Sequence, residues 1–245
     1  MVRKSERIAV LILPISPISP ISPISPIGLI SMQIKQSLSV KLLTAGWICG
    51  VVAGMATLTN YSSAPGAAVV APVQWPTMTE LPHDATRPTL VMFVHPRCPC
   101  STASINELAR VAARCRDRMD LTVLFVKPPG SPSDWHQSAH WTNAMSIPGV
   151  HAVADHDGRL ASQFGVTTSG HCLVYGAQGT LLYSGGITAG RGHEGDSVGQ
   201  TIVNSIAADQ SGAHPGECAT FGCPLFAKQV GTNSDSITAD TVRTW

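Results

Sequence analysis

Charged residues are scarce in this chain of 245 residues: they make up 13% of the sequence, and the net charge is +1. Part of the shortage comes from residues 42–79, which contain no charged residue. A protein that binds nucleic acid through its electrostatic field carries a strong excess of lysine and arginine. The sequence therefore predicts no nucleic-acid partner.

Two familiar cysteine motifs are also missing. The chain has no Cys-x-x-Cys-His, so covalently attached c-type haem is not indicated, and it has no Cys-x-x-Cys. Seven cysteines are present, however, and two pairs are close in sequence: Cys98 with Cys100, and Cys218 with Cys223. Closely spaced pairs favour redox or metal chemistry over a framework of structural disulfides.

The N-terminal leader, residues 1–41, is unusual in composition. Ile-Ser-Pro occurs four times between residues 15 and 26, and a proline at every third position favours a polyproline II spacer. The alternative is that residues 1–31 are not part of the translated protein, because the sequence from Met32 onward resembles a complete N-terminus.

Residues 42–61 are uncharged and nearly long enough to cross a bilayer. Lys35 and Lys41 precede this run, and no charge follows it closely, which places the N-terminus inside and the rest of the chain outside. Because no clean Ala-x-Ala site ends the run, we expect a retained single-pass anchor with the domain in the periplasm or extracellular space; a cleaved signal and a buried core helix are the alternatives. Residues 62–86, rich in Ala, Pro, Ser and Thr, are predicted to be a linker.

Hydrophobic periodicity indicates a folded domain at residues 87–210. An apolar run at 90–94 predicts a buried strand, and the first cysteine pair, an amphipathic helix and a strand at 121–126 follow it. This β–α–β unit is typical of a parallel sheet, so we expect an α/β fold. The rest of the pattern predicts a helix, a strand, a helix, two strands joined by a tight turn, and a closing helix. The tail, residues 211–245, is polar except around Cys218 and Cys223.

This order of elements resembles the thioredoxin-like superfamily, and within it the TlpA and peroxiredoxin-related branch. The similarity lies in four features. The first is a strand that leads into a cysteine pair and a helix, and the second is the segment 147–166, which contains a strand, an Asp-His-Asp-Gly turn and a short helix. The third is the hairpin that follows, and the fourth is the last helix. It implies a thioredoxin-like three-layer sandwich with a central mixed sheet, preceded by one transmembrane helix. The exported RedB-like group is the most similar, through Ser-Gly-Gly-Ile-Thr at 184–188 and Arg-Gly-His-Glu-Gly-Asp at 191–196.

The sequence departs from that family in two ways. The family places two residues between its nucleophilic and resolving cysteines, whereas only Pro99 separates Cys98 from Cys100. The family also has a cis-proline opposite the cysteines, and here Gly170 takes that place, with His171 next to it. Gly170 and His171 are therefore candidate supporting residues in the wall that faces the cysteines.

Cys98 and Cys100 are the candidate catalytic residues of a redox site. His95 and Arg97 supply positive charge nearby, which is expected to lower a thiol pKa. A disulfide across one residue is strained and therefore comparatively oxidising. The sequence thus predicts a thiol–disulfide oxidoreductase without a cofactor, in which Cys98 attacks and Cys100 resolves. Its expected partners are cysteine-containing proteins outside the cytoplasm.

Two alternatives to this redox function remain open. Cys98, Cys100 and His171 could bind copper or zinc, since thiolates and imidazole suit these metals, and SCO-type copper chaperones share the fold. The domain could also bind partners without any chemistry.

The second pair, Cys218 and Cys223, lies beyond the predicted domain. It is either a second dithiol that exchanges with the first pair or a local disulfide that holds the tail.

Overall fold

The structure is a computed structural model that describes residues 38–115, 117–208 and 216–226. The Ile-Ser-Pro repeats and the alternative start at Met32 lie outside the described residues. So do residues 209–215, where the predicted domain ends and the tail begins, and residues 227–245 of the tail. The chain divides into two units, residues 1–48 and 49–245. The described part of the first unit is helical.

Helix α1 (Leu38–Ser63) is long and apolar enough to cross a membrane. Its 26 residues include a stretch of mean hydropathy 1.7, and at 1.5 Å per residue it spans ~39 Å, more than the ~30 Å of a hydrocarbon core. The hydroxyls of Thr44, Thr57 and Thr59 each donate to a carbonyl oxygen four residues earlier, at 2.9 Å. These polar groups are therefore satisfied within the helix, as an apolar surrounding requires.

Among the described residues, six strands form one mixed sheet. They are β1 (Thr89–Val94), β2 (Asp120–Lys127), β3 (Val150–His156), β4 (His171–Tyr175), β5 (Leu181–Gly186) and β6 (Gly216–Glu217). The spatial order is β3-β2-β1-β4-β5-β6. Strands β1, β2 and β3 are parallel, β4 is antiparallel to β1 and β5, and β6 is parallel to β5. Every residue of β1 is buried, as its continuous apolar run predicts.

Helices cover both faces of this sheet. They are α2 (Ser101–Cys115), α3 (Ala139–Met145), α4 (Arg159–Gln163) and α5 (Val198–Ala207). Successive side chains of β1 alternate between two cores: Leu90 and Met92 lie with residues of α2, α3 and α5, whereas Val91 and Phe93 lie with residues of α4. The result is the three-layer α/β sandwich that the sequence predicts, and the predicted order of strands and helices is confirmed.

Part of the predicted linker, residues 62–86, belongs to the folded domain. The ring of Trp75 packs edge-on against Phe164 and Tyr175, with centroid distances of 5.3 and 5.2 Å, and Leu81 is buried in the second core. The linker prediction is corrected here, because a segment rich in Ala, Pro, Ser and Thr also contains a few large apolar residues that cover one face of the sheet.

Part of the predicted tail also belongs to the domain. Strand β6 pairs with β5 at the edge of the sheet, and Leu225 is 1% exposed and lies in the second core. The domain therefore extends on both sides of the predicted range 87–210, since burial of Leu225 brings the segment 216–226 onto the sheet.

Candidate thiol site

Cys98 and Cys100 lie in the tight turn that joins β1 to α2. The N–H of Cys98 donates to the carbonyl oxygen of His95 at 3.1 Å, and the N–H of Ser101 donates to the carbonyl oxygen of Cys98 at 3.0 Å. Helix α2 begins at Ser101, so both cysteines immediately precede its first turn. Unpaired N–H groups and the positive end of the helix dipole favour a negative charge at this place.

A third thiol completes the site. The Sγ atoms of Cys98, Cys100 and Cys223 all lie within 4.8 Å of one another, and all seven cysteines of the chain are free thiols. Cys98 is only 2% exposed, whereas Cys100 and Cys223 are half-buried. The site is therefore a cluster of three reduced thiols rather than a pair.

Backbone pairing holds Cys223 in this cluster. The loop before β4 forms an antiparallel bridge with the C-terminal segment. Within it the N–H of Ser169 donates to the carbonyl oxygen of Cys223, and the N–H of Leu225 donates to that of Thr167, both at 2.8 Å. Because Leu225 is buried just beyond the bridge, the position of Cys223 is fixed from both sides.

Four hydrogen-bond donors surround the sulfur of Cys98. Burial acts to raise the pKa of this thiol, but hydrogen bonds from the thiol and backbone N–H of Cys223, the hydroxyl of Ser101 and the backbone N–H of Cys100 outweigh it. The pKa of Cys98 therefore lies below the ordinary thiol value, because donors stabilise the thiolate more than the thiol.

The other two thiols shift in the opposite direction. Burial raises the pKa of Cys100, and the charge of Cys98 raises it further, while Arg191 opposes the shift. Burial and the hydrogen bond to Cys98 raise the pKa of Cys223 to about 12. The titrations of the three thiols are coupled. Cys98 loses its proton first, and Cys100 and Cys223 stay protonated and act as hydrogen-bond donors.

Two buried serines extend this network away from the thiolate. The N–H of His95 donates to Oγ of Ser169 at 2.9 Å, and Oγ of Ser169 lies 2.8 Å from Oγ of Ser101. Either hydroxyl can donate in this contact. Because Ser101 has a single proton and its hydrogen bond to Cys98 lowers the pKa of that thiol, the proton of Ser169 is the one directed to Ser101.

No family model matches the sequence, and no curated protein matches it. A solved structure of a hypothetical protein from Sinorhizobium meliloti is similar at 14% identity, with a TM-score of 0.51 over 66% of this chain and 96% of that one. An uncharacterized conserved protein from Geobacillus kaustophilus has 13% identity and a TM-score of 0.49 over 68% of this chain and 100% of that one. A secreted Mycobacterium tuberculosis disulfide oxidoreductase, homologous to E. coli DsbE, has 16% identity and a TM-score of 0.36 over 51% of this chain and 83% of that one.

The topology of the sheet decides the fold. Three parallel strands, β1 to β3, lie beside the antiparallel strands β4 and β5, and the cysteine pair lies between β1 and α2. This is the arrangement that the resemblance in sequence implies. The chain has a thioredoxin-like fold. Its place in the TlpA and peroxiredoxin-related branch, or in the RedB-like group, stays a prediction.

The structure shows what surrounds His95 and Arg97 in the thioredoxin-like domain. The guanidinium of Arg97 stacks on Trp135, 3.5 Å from the ring centroid. Burial, followed by the positive charges of Arg97 and His140, lowers the pKa of His95, so this imidazole is neutral at pH 7 and does not supply the expected positive charge. Hydrogen bonds to the sulfur are the main influences that lower the pKa of Cys98, and the effect expected from the charge of Arg97 stays a prediction.

Gly170 lies beside the site, at the start of β4. Its φ is +86°, a conformation that favours glycine, and its N–H donates to the carbonyl oxygen of Phe93 at 2.7 Å. A Cβ at this position would lie 2.7 Å from Oγ of Ser104 on α2. Glycine therefore allows the loop that carries Ser169 to approach α2 closely.

His171 is 4% exposed and bonded through both ring nitrogens. Its Nδ1 lies 2.7 Å from the hydroxyl of Thr220, and its Nε2 lies 3.1 Å from that of Ser184. Burial lowers the pKa of His171 to about 4, so the ring is neutral. His171 is not part of the three-thiol group, and the ligand set expected for a metal therefore changes from Cys98, Cys100 and His171 to the three cysteines.

The predicted pair of Cys218 and Cys223 is divided between two environments. The N–H of Cys218 donates to the carbonyl oxygen of Ser184 at 3.1 Å, and its side chain packs on the first core beside the hydroxyl of Tyr183. Cys218 is not part of the three-thiol group. Cys223 alone therefore joins the first pair.

Sequence reasoning missed Ser101, Ser169 and His140 as site residues. The Nε2–H of His140 donates to the carbonyl oxygen of Cys98 at 3.0 Å. Only the position of Ser101, directly after Cys100, offers a signal in the sequence. For Cys223 a signal exists, because it lies in the apolar stretch 218–226 of an otherwise polar tail, and such a stretch tends to be buried.

Proposed function

We propose that this protein is a membrane-anchored thiol–disulfide exchange protein that acts on cysteine-containing proteins outside the cytoplasm. The observation that carries the proposal is the cluster of three free thiols at the start of α2, whose sulfurs lie within 4.8 Å of one another, with hydrogen bonds that lower the pKa of Cys98. The thiolate is the species that attacks a disulfide. Helix α1 serves as the anchor, and Lys35 and Lys41 favour a domain on the outer side.

The reaction begins at Cys98. Its thiolate attacks one sulfur of a partner's disulfide, a bond forms between Cys98 and that sulfur, and the partner's other sulfur leaves as a thiolate and takes up a proton. A second thiol of the site then attacks Cys98, releases the partner as a dithiol and leaves the site oxidised. Two electrons pass from the site to the partner, and the reverse sequence oxidises a partner dithiol.

A partner can reach the sulfur of Cys98 only if the segment that carries Cys223 moves away from it. Cys98 is 2% exposed, and Cys223 bonds to it through both thiol and backbone N–H. The backbone bridge that holds Cys223 consists of two hydrogen bonds, each of which contributes about 1 kcal/mol net. A partner segment that reaches Cys98 has to replace these hydrogen bonds and displace Cys223 from the sulfur.

The exchange reaction can be tested with the full chain in detergent micelles. The reduced protein is mixed with glutathione disulfide, and the mass of the products shows which cysteine reacts. We expect Cys98→Ser to abolish the mixed disulfide, whereas Cys115→Ala, a buried thiol on the core face of α2, leaves it unchanged. A Cys98→Ser chain that reacts as fast as the wild type overturns the proposal.

A second candidate function is binding of a soft metal ion, and the three clustered thiols favour it. Sulfur ligands at about 2.3 Å from zinc are about 3.8 Å apart, so sulfurs within 4.8 Å of one another need only a small closure. Cys98, Cys100 and Cys223 would hold Cu(I) or Zn(II) in a thiolate site. Competition with a chromophoric Cu(I) chelator tests this: Cys223→Ser should weaken binding about tenfold or more, and His171→Gln should not. The opposite pattern overturns the three-cysteine site.

A further inference from the structure

The segment that carries Cys223 lies on the domain through a small set of defined contacts. The carbonyl oxygen of Thr220 accepts from the N–H of Gly66 at 2.8 Å, and the guanidinium of Arg191 donates to the carbonyl oxygen of Gly222. A Cβ added at Gly222 would overlap the carbonyl oxygen of Ser169. Glycine at this position therefore permits the close approach that brings the next residue, Cys223, to the thiols.

This placement directs the sulfur of Cys223 at the sulfur of Cys98. Its thiol and its backbone N–H both bond to Cys98, and the two sulfurs are no more than 4.8 Å apart. A disulfide needs an S–S distance of about 2.05 Å, so a shift of less than about 3 Å joins them. The two residues come from separate segments, so their disulfide closes no small ring.

The alternative bond, between Cys98 and Cys100, is geometrically less favourable. These residues are separated by Pro99 alone, so their disulfide closes a tight ring and is strained. Strain makes a disulfide easier to reduce. Between the two possible partners of Cys98, Cys223 therefore gives the more stable product.

We propose that Cys223 is the resolving thiol of the site, an inference that rests on the exchange function proposed above. After Cys98 has formed a mixed disulfide with a partner, the sulfur of Cys223 attacks Cys98. The Cys98–Cys223 bond forms, the bond to the partner breaks, and the partner's sulfur leaves with the proton given up by Cys223. The partner is reduced, the protein is oxidised, and Cys100 stays a thiol.

The test uses the reduced full chain in detergent micelles, with glutathione disulfide as the probe. Intact mass gives the lifetime of glutathione on Cys98, and peptide mapping identifies the internal disulfide. We expect the wild type to form Cys98–Cys223 and Cys223→Ser to hold glutathione on Cys98 about tenfold longer, since an intramolecular step is lost. The matched control Cys218→Ser, in the same segment, should behave as the wild type.

Several outcomes overturn the inference. One is a Cys223→Ser chain that releases glutathione as fast as the wild type. Another is a Cys100→Ser chain that retains glutathione while Cys98–Cys223 does not form. A chain in which Cys98 takes up no glutathione in any variant overturns the proposed function itself, and is thereby distinguished from a failure at the resolving step.

A second variant tests the segment without removing the thiol. Gly222→Ala keeps Cys223 but displaces it from the loop that carries Ser169. We expect the internal disulfide to form more slowly once glutathione is on Cys98. An unchanged rate of internal disulfide formation contradicts the role assigned to the segment.

Discussion

The sulfurs of Cys98 and Cys223 lie within 4.8 Å of each other, and hydrogen bonds from the thiol and backbone N–H of Cys223 lower the pKa of the Cys98 thiol. The lowered pKa of Cys98 therefore depends on a segment near the C-terminal end of the described chain. Because the same segment covers Cys98, the state of the thiolate and the access to it are controlled together.

The thiol of Cys223 should determine the pH range in which Cys98 reacts. Cys223→Ala removes the hydrogen bond from that thiol, so the pKa of Cys98 rises and less thiolate is present at neutral pH. The rate of mixed-disulfide formation with glutathione disulfide, measured against pH, should then have a higher midpoint than in the wild type. Cys218→Ala should leave the midpoint in place. A midpoint that stays the same in Cys223→Ala would contradict the role of this hydrogen bond.

The hydroxyl of Ser101 should make a similar contribution. Its removal in Ser101→Ala should cost about 1.5 kcal/mol of thiolate stabilisation, the lower end for a hydrogen bond to a charged group, which corresponds to about one pKa unit. Thr102→Ala, an exposed hydroxyl in the same helical turn, is the matched control. Thiolate absorbance against pH measures both variants, and equal midpoints would show that Ser101 does not donate to Cys98.

Buried His171 should make the fold sensitive to acid. Its pKa in the fold is about 4, against an ordinary value of 6.5, so the unfolded chain binds the proton more readily between these values. The free energy of unfolding therefore falls as the pH decreases from 6.5 towards about 4, and the loss is on the order of 3 kcal/mol. Urea unfolding at several pH values measures it. His171→Gln should lose less stability over this range, and an identical pH dependence in both proteins would exclude His171 as the cause.

Trp75 should stabilise the domain although it lies in the predicted linker. Its ring packs on Phe164 and Tyr175, and its half-buried position suggests that Trp75→Ala costs about 2–3 kcal/mol, below the range for fully buried aromatic residues. Met78→Ala is the matched control, since Met78 is 86% exposed and its change should cost little. Urea unfolding compares the two. Equal stabilities would mean that residues 62–86 act as a linker after all.

The fold could be predicted because its signals are local. The apolar run of β1 and the helical spacing in α2 each follow from sequence period alone, and their order implies the parallel sheet. The contributions of Trp75 and Leu225 could not be predicted in this way, because the apolar residues around them follow no helical or strand period. Their burial depends on an uncovered face of the sheet, which only the complete fold reveals.

The candidate site could be predicted only in part. Cys98 and Cys100 follow from their position between a buried strand and a helix. The stacking of the Arg97 guanidinium on Trp135 could not be predicted, because it depends on how the loop before α3 packs. Cys223 reaches the site through a backbone bridge to the loop before β4. The apolar residues around it indicate burial, but they do not indicate which part of the domain the segment packs on.

The most direct test of the account is a thiolate titration of the reduced full chain, followed by ultraviolet absorbance in the wild type and in Cys98→Ser. The account predicts that the first thiolate of the wild type forms below the ordinary thiol pKa and is missing from Cys98→Ser, while Cys115→Ala retains it. A Cys98→Ser chain that still forms this early thiolate would contradict the assignment of Cys98 as the nucleophile.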